Sequence, residues 1–171
     1  MSRENVELVR RGLEAFNDHD LDALMELYTE DVEWRLIGGF VDLMGSELSG
    51  RDAVRGFFSD WIENLGGRAE PEAVLEAGDQ VVQVLRITSA GGASGAPATQ
   101  RMGQVFSFRD GRACAVDNYW DADEALRAAL QAELAGGAST RDAAAAVATR
   151  LGVPRRRAYN LATSLGEAAR P

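Results

Sequence analysis

Lysine is absent from this chain, and cysteine and histidine occur once each. The single cysteine, Cys114, excludes a disulfide within the chain and fits a reducing compartment. It reads as a small apolar strand residue, because the only histidine, His19, lies in a predicted turn and cannot activate it. His19 alone also cannot supply an Asp–His dehydratase pair. We therefore predict neither a metal nor a cofactor.

Long apolar runs are missing as well. No segment approaches the length that spans a membrane, and the first residues, MSRENVELVRRGL, have the pattern of an amphipathic helix instead of a signal peptide. We expect a cytoplasmic protein without membrane contact. The net charge of −9 argues against nonspecific nucleic-acid binding by the whole chain. Residues 135–171 are basic, because this range contains six arginines and only two acidic residues.

Apolar periodicity and turn residues predict the order of the elements. Two helices come first, one over residues 3–17 and a second that Asp20 caps, with Leu21, Leu24, Met25 and Tyr28 on one face. A strand over 31–37, a loop and a helix with an apolar face from Val54 to Leu65 follow. Strands over 73–77, 80–89, 100–108 and 112–120 complete an antiparallel meander, with a hairpin at Asp110-Gly111.

Three segments in this order, ENVELVRRGLEAFNDHDLDALMELYTEDVEW, LSGRDAVRGFF and FSFRDGRACAVDNYWDADEAL, resemble the NTF2-like superfamily and its SnoaL-like branch. The resemblance covers about residues 3–129. It implies an α+β fold, a cone-shaped barrel whose curved antiparallel sheet wraps around helices and encloses a pocket, in a homodimer packed sheet to sheet. We expect residues 1–130 to form this domain and 131–171 a helical tail.

The superfamily includes ketosteroid isomerases, polyketide cyclases, limonene epoxide hydrolases, dehydratases and members without chemistry, so the fold does not fix the function. Alternate residues of a strand face opposite sides. By similarity to the isomerase and hydrolase members, Asp117 and Asp121 face away from the pocket. In the register chosen for 80–89, even-numbered residues such as Val82, Val84 and Thr88 face inward, and a one-residue slip would reverse them. The predicted ligand-binding residues are Trp34, Leu36, Arg86, Met102, Gln104, Asn118 and Trp120.

The resemblance also allows known chemistries to be tested position by position. The isomerase base and oxyanion donors correspond to Leu36, Gly12 and Gln104, of which only Gln104 can donate a hydrogen bond. The epoxide hydrolase set corresponds to Arg86, Thr88 and Asn118, which lack both acids. The catalytic residues therefore stay unknown.

Three hypotheses remain open. The first is a pocket protein that binds a largely apolar metabolite; if Arg86 is buried in the pocket, the metabolite is anionic or carbonyl-bearing. The second is an isomerase, cyclase or epoxide hydrolase that uses a nonstandard polar set, Arg86, Gln104 and Asn118. The third is a structural or interaction module whose side chains fill the cavity. Arg86 pairing with a neighbouring carboxylate is the alternative to a role in the pocket.

The end of the domain and the tail carry helix signals. Asp121 and Glu124 have the spacing of a capping box, which favours a structural role for Asp121. Gly136-Gly137 is predicted to be a hinge. Ser139 and Asp142 are expected to cap an alanine-rich helix that extends to Leu151, and a second helix is expected from Arg155 to Leu165. This segment resembles the small helical module of ribosomal RNA ribose-2′-O-methyltransferases and is helix-turn-helix-like. Docking on the barrel or a partner protein is favoured over nucleic acid.

Overall fold

The computed structural model describes residues 2–37, 47–77, 79–89, 98–119, 122–151 and 154–168. Trp120 and Asp121, and with them the predicted capping box, lie outside these ranges. None of the described helices is long and apolar enough to cross a membrane.

The order of the elements agrees with the sequence prediction, with one added short strand. The helices are α1 (Ser2–Asn17), α2 (Leu21–Met25), α3 (Arg51–Asn64), α4 (Ala122–Ala135), α5 (Thr140–Leu151) and α6 (Arg155–Ala168). The strands are β1 (Tyr28–Ile37), β2 (Glu47–Ser49), β3 (Arg68–Ala77), β4 (Gln80–Ser89), β5 (Ala98–Arg109) and β6 (Arg112–Tyr119).

The strands form one curved sheet in the order β2-β1-β6-β5-β4-β3. The meander from β3 to β6 is antiparallel as predicted, whereas β1 and β6 run parallel. The first and last long strands of the chain are therefore neighbours in the sheet. This closure brings Leu36 of β1 opposite Asn118 of β6 and places the ends of both strands at one site.

Local signals in the sequence account for several element ends. Asp20 caps α2, because its carboxylate accepts a hydrogen bond from the backbone N–H of Ala23 at 3.0 Å. Asp110 and Gly111 have φ of 52° and 75°, the left-handed conformation that a two-residue hairpin needs. Tyr28 begins β1 instead of ending α2.

The predicted hinge at Gly136-Gly137 is a tight helix end. Gly137 has φ of 90°, the N–H of Ala138 donates to the carbonyl of Glu133, and that of Gly137 donates to the carbonyl of Leu134. These two bonds define a Schellman motif, which satisfies the last carbonyls of α4. The turn therefore fixes the direction of α5, which Ser139 caps through the N–H of Asp142 as predicted.

One hydrophobic core lies between α1, α2 and α3 and one side of the sheet, here called the inner face. Its members include Val9, Phe16 and Phe58 from helices and Trp34 and Phe106 from strands. Because α1 and α3 lie on the same side of the curved sheet, the space between them and the strands is where a pocket can form.

A second core lies on the opposite side, the outer face. Leu75, Val82, Val84 and Val105 of the sheet pack with residues of all three C-terminal helices, among them Leu126, Leu130, Ala144, Val147, Ala148, Ala158 and Ala162. Both faces of strands β3, β4 and β5 are therefore covered by helices, and α4, α5 and α6 share one core with the sheet.

Candidate functional site

The inner face and the helices enclose two cavities that share Phe16, Phe58, Ile87 and Gln104. The larger has a volume of about 150 Å³ and the smaller about 60 Å³. Because they share lining residues, the two cavities are adjacent, and together they are here called the hollow. Ligand sites in proteins are mostly apolar hollows with a few placed polar groups, which is the composition found here.

Aromatic rings form the wall of the larger cavity. Trp34 of β1 packs against Phe57 and Phe58 of α3, with ring centroids 4.8 and 5.2 Å apart. Phe16 of α1 meets Trp61 of α3 at 5.2 Å. Leu36 and Met102 complete the wall from the sheet, so Trp34, Leu36 and Met102 line the cavity as the sequence predicts. The α3 rings belong to the predicted apolar face of that helix but not to the predicted ligand-binding residues.

The indole N–H of Trp34 is buried, and no hydrogen-bond acceptor among the described residues reaches it. Trp34 itself is 3% exposed. Buried polar groups in proteins nearly always have a partner, and Trp34 is a lining residue of the cavity, so its unpartnered donor is a candidate contact for a bound molecule.

Gln104 stands where the two cavities meet, and Asn118 fixes its orientation. The side-chain N–H of Gln104 donates to Oδ1 of Asn118 at 2.8 Å, and Nδ2 of Asn118 donates to the backbone carbonyl of Arg35 at 3.0 Å. Asn118 is fully buried and lines neither cavity. It therefore acts on the hollow through Gln104 and not, as predicted, as a direct wall residue.

Gln83 and Tyr28 are polar residues of the smaller cavity and are not among the predicted ligand-binding residues. Gln83 is 1% exposed and lies opposite Gln104 in the β4–β5 register. Tyr28 is 2% exposed, and burial raises the pKa of its hydroxyl well above the ordinary value, so it stays protonated. A polar residue in an otherwise apolar strand was the available signal for Gln83, but the register chosen for β4 turned it outward.

Arg86 does not reach the hollow, and the predicted inward face of β4 was wrong. Ile87, Leu85 and Gln83 face inward, whereas Val82 and Val84 belong to the outer core. Arg86 lies outside and donates to Glu72 at 2.8 Å, and Arg101 donates to the same carboxylate at 2.5 Å. The alternative that Arg86 pairs with a neighbouring carboxylate is confirmed.

Asp117 also lies away from both cavities, where it pairs with Arg35 at 2.6 Å. Trp120, the seventh predicted site residue, falls outside the described residues. Of Trp34, Leu36, Arg86, Met102, Gln104 and Asn118, the structure brings all but Arg86 to the hollow or its support. The nonstandard polar set that includes Arg86 is therefore not assembled at one place.

The lining determines what the hollow can do chemically. Within the described ranges, neither cavity is lined by Asp, Glu, His or Arg, and Tyr28 is the titratable wall residue. No cluster of metal-ligating side chains occurs in that part of the chain. Apolar contact and neutral hydrogen bonding are the interactions that these walls offer.

Comparison with known proteins supports the fold assignment. A sequence model of the SnoaL-like domain matches residues 9–116. The match ends within β6 and excludes the three C-terminal helices. No curated protein matches the chain.

Three solved structures illustrate the likeness. An NTF2-like protein of unknown function from Burkholderia pseudomallei is 26% identical, with a TM-score of 0.62, over 72% of this chain and 95% of that one. TerC, co-crystallised with polyporic acid, is 24% identical, with a TM-score of 0.61, over 71% and 94%. Rv0760c from Mycobacterium tuberculosis, in complex with estradiol-17β-hemisuccinate, is 21% identical, with a TM-score of 0.61, over 70% and 95%.

Proposed function

Since the chain belongs to the SnoaL-like domain family, we propose that it binds a small, largely apolar molecule in the hollow between the inner face of the sheet and helices α1 and α3. The observation that carries this proposal is the aromatic-walled cavity of about 150 Å³, one of whose lining residues, Trp34, has an unpartnered indole N–H.

The packing of the rings supports a binding role. The cavity is lined by four aromatic side chains, Trp34, Phe57, Phe58 and Trp61, which leave space between them. Their flat apolar surfaces can pack against a ring or an alkyl chain of a bound molecule. A module whose own side chains filled its interior would leave no such space. TerC and Rv0760c, which share the fold, have small molecules in their structures, and this agrees with the proposal.

The residues that line the hollow support an enzymatic function less well than a binding function. General acid–base catalysis needs a group that exchanges protons near the working pH. Tyr28 stays protonated because it is buried, and the amides of Gln83 and Gln104 do not titrate. Binding without turnover is the function that the described residues support best.

The indole resonance of Trp34 tests the proposal. Uniformly ¹⁵N-labelled protein is titrated with two bicyclic aromatic probes, uncharged 2-naphthol and anionic 2-naphthoate, and Trp34→Phe assigns the peak by its loss. We expect at least one probe to shift the Trp34 indole N–H peak with saturation. If neither probe moves it at the limit of solubility, the hollow is not the binding site proposed here.

The C-terminal helices have a different role in this proposal. The binding hollow lies within the predicted domain of residues 1–130, and α4, α5 and α6, of which α4 begins inside that domain, serve as an intramolecular cover for the apolar outer face. A homodimer packed through the sheet stays a prediction, and a second copy could use the outer face of β3, β4 and β5 only after these helices moved away. The likeness of the tail to a methyltransferase module likewise stays a prediction.

A further inference from the structure

The smaller cavity differs from the larger one in its hydrogen-bonding groups. It is lined by the side chains of Tyr28, Gln83 and Gln104 together with apolar residues of α1, α2 and the sheet. Its volume of about 60 Å³ is several times the roughly 10–15 Å³ that a single water requires. It can therefore hold a polar substituent of a molecule whose body occupies the larger cavity.

Gln83 is the least expected of these groups. Its side chain is almost fully buried, yet no described residue makes a hydrogen bond with its amide. An amide offers two donors and one acceptor oxygen, and burying them without partners is costly. The neighbouring Gln104 donates one amide N–H to Asn118. Its side-chain oxygen has no hydrogen-bond partner among the described residues.

The charges around the hollow exclude one class of ligand. Arg86, on which an anionic ligand depended, is held outside by Glu72. No arginine lines either cavity within the described ranges, and the chain carries a net charge of −9. An anion would enter this hollow without a countercharge and lose its hydration.

We infer that the ligand is uncharged, with an aromatic or alicyclic body in the larger cavity and a hydroxyl or carbonyl group in the smaller one, hydrogen-bonded to Gln83 and Gln104. This inference rests on the proposed function and names the class of molecule. The free oxygen of Gln104 accepts from a hydroxyl, and the amide N–H groups of Gln83 donate to a hydroxyl or carbonyl oxygen. The Tyr28 hydroxyl supplies a further neutral donor.

Calorimetric titration of the wild-type protein with the same two probes tests the charge preference. At neutral pH 2-naphthol is uncharged and 2-naphthoate is an anion, while their ring systems are identical. We expect 2-naphthol to bind at least tenfold more tightly than 2-naphthoate. This comparison needs no variant, so it holds whether or not a substitution disturbs folding.

A variant pair tests the role of Gln83. Gln83→Leu removes the amide from the smaller cavity, and Gln80→Leu makes the same change on the opposite face of β4, where Gln80 bonds to Ser107. We expect Gln83→Leu to weaken 2-naphthol binding at least tenfold and Gln80→Leu to leave it within about twofold, a ratio that calorimetry resolves.

The outcomes separate this inference from the proposed function. Equal affinity for the two probes, tighter binding of 2-naphthoate, or unchanged binding in Gln83→Leu would overturn the inference and leave the hollow as a binding site. Absence of binding by both probes would overturn the proposed function, and the inference with it.

Discussion

At the scale of single residues, Arg86 shows where the sequence misleads and why. Residues 80–89, QVVQVLRITS, place apolar side chains on both faces of β4, because α4, α5 and α6 cover one face and the inner core covers the other. A strand buried on both sides has no clear alternation, so periodicity cannot choose its register. On β1, β5 and β6 the alternation places Trp34, Gln104 and Asn118 on the predicted side.

The charged neighbours of Arg86 explain its position. Arg86 and Arg101 are directly opposite each other on β4 and β5, a repulsive arrangement for like charges. Glu72 sits at the irregularity of β3 between Pro71 and Ala73 and accepts hydrogen bonds from both guanidinium groups. The hydrogen bonds from Arg86 and Arg101 hold the pKa of the Glu72 carboxyl below its ordinary value of 4.5.

This pKa shift predicts a pH-dependent effect of Glu72→Gln. A carboxyl whose pKa is lowered by folding stabilises the protein above the unfolded pKa and loses that contribution as the pH falls through the folded pKa. We therefore expect Glu72→Gln to lower the Tm at pH 7, and the difference from wild type to shrink as the pH falls from about 4.5.

Thermal unfolding between pH 7 and pH 3 measures this effect. Glu63→Gln is the matched control, since Glu63 is exposed on α3 and forms no ion pair with a described residue. It should change the Tm little at any pH. A Glu72→Gln difference that stays constant down to pH 3 would contradict the assigned role of the ion pairs.

At the scale of elements, the helices, strands and turns followed from local signals, while their partners did not. The helix caps at Asp20 and Ser139 and the Asp110-Gly111 turn depend on residues close together in the sequence, so they can be predicted from it directly. The parallel pairing of β1 with β6 and the packing of α4, α5 and α6 on the outer face are long-range contacts. Apolar periodicity shows that a helix has a buried face but not which surface buries it.

The outer core predicts that α5 is part of the folded domain. Val147 of α5 is fully buried against this core, whereas Thr149 on the same helix is exposed. Val147→Asp places an unpaired charge there, and we expect it to lower the free energy of unfolding by about 3 kcal/mol. Thr149→Asp should stay within about 0.5 kcal/mol of wild type.

Urea unfolding followed by circular dichroism checks this pair of variants, and sedimentation velocity reports association. Exposure of the apolar outer face should make Val147→Asp associate as its concentration rises, while Thr149→Asp does not. If Val147→Asp is as stable and as monodisperse as wild type, the C-terminal helices do not share a core with the sheet.

At the scale of the whole molecule, the chain is a curved sheet covered on both sides, with an aromatic-walled hollow on the inner side. The outer helices lie beyond the segment that matches the SnoaL-like domain, and they pack as a continuous apolar core. The inner helices meet the sheet through large rings and leave about 150 Å³ between them. The closely packed outer face therefore stabilises the fold, whereas the inner face leaves space for a bound molecule.

The most direct test of the binding hollow is the affinity for 2-naphthol after the larger cavity is filled. Met102→Trp adds an indole to its wall, and Met102→Leu keeps the volume nearly constant at the same position. We predict that Met102→Trp binds 2-naphthol at least tenfold more weakly than wild type, and Met102→Leu within about threefold. Wild-type affinity in a folded Met102→Trp protein would show that the molecule binds elsewhere and would contradict the account.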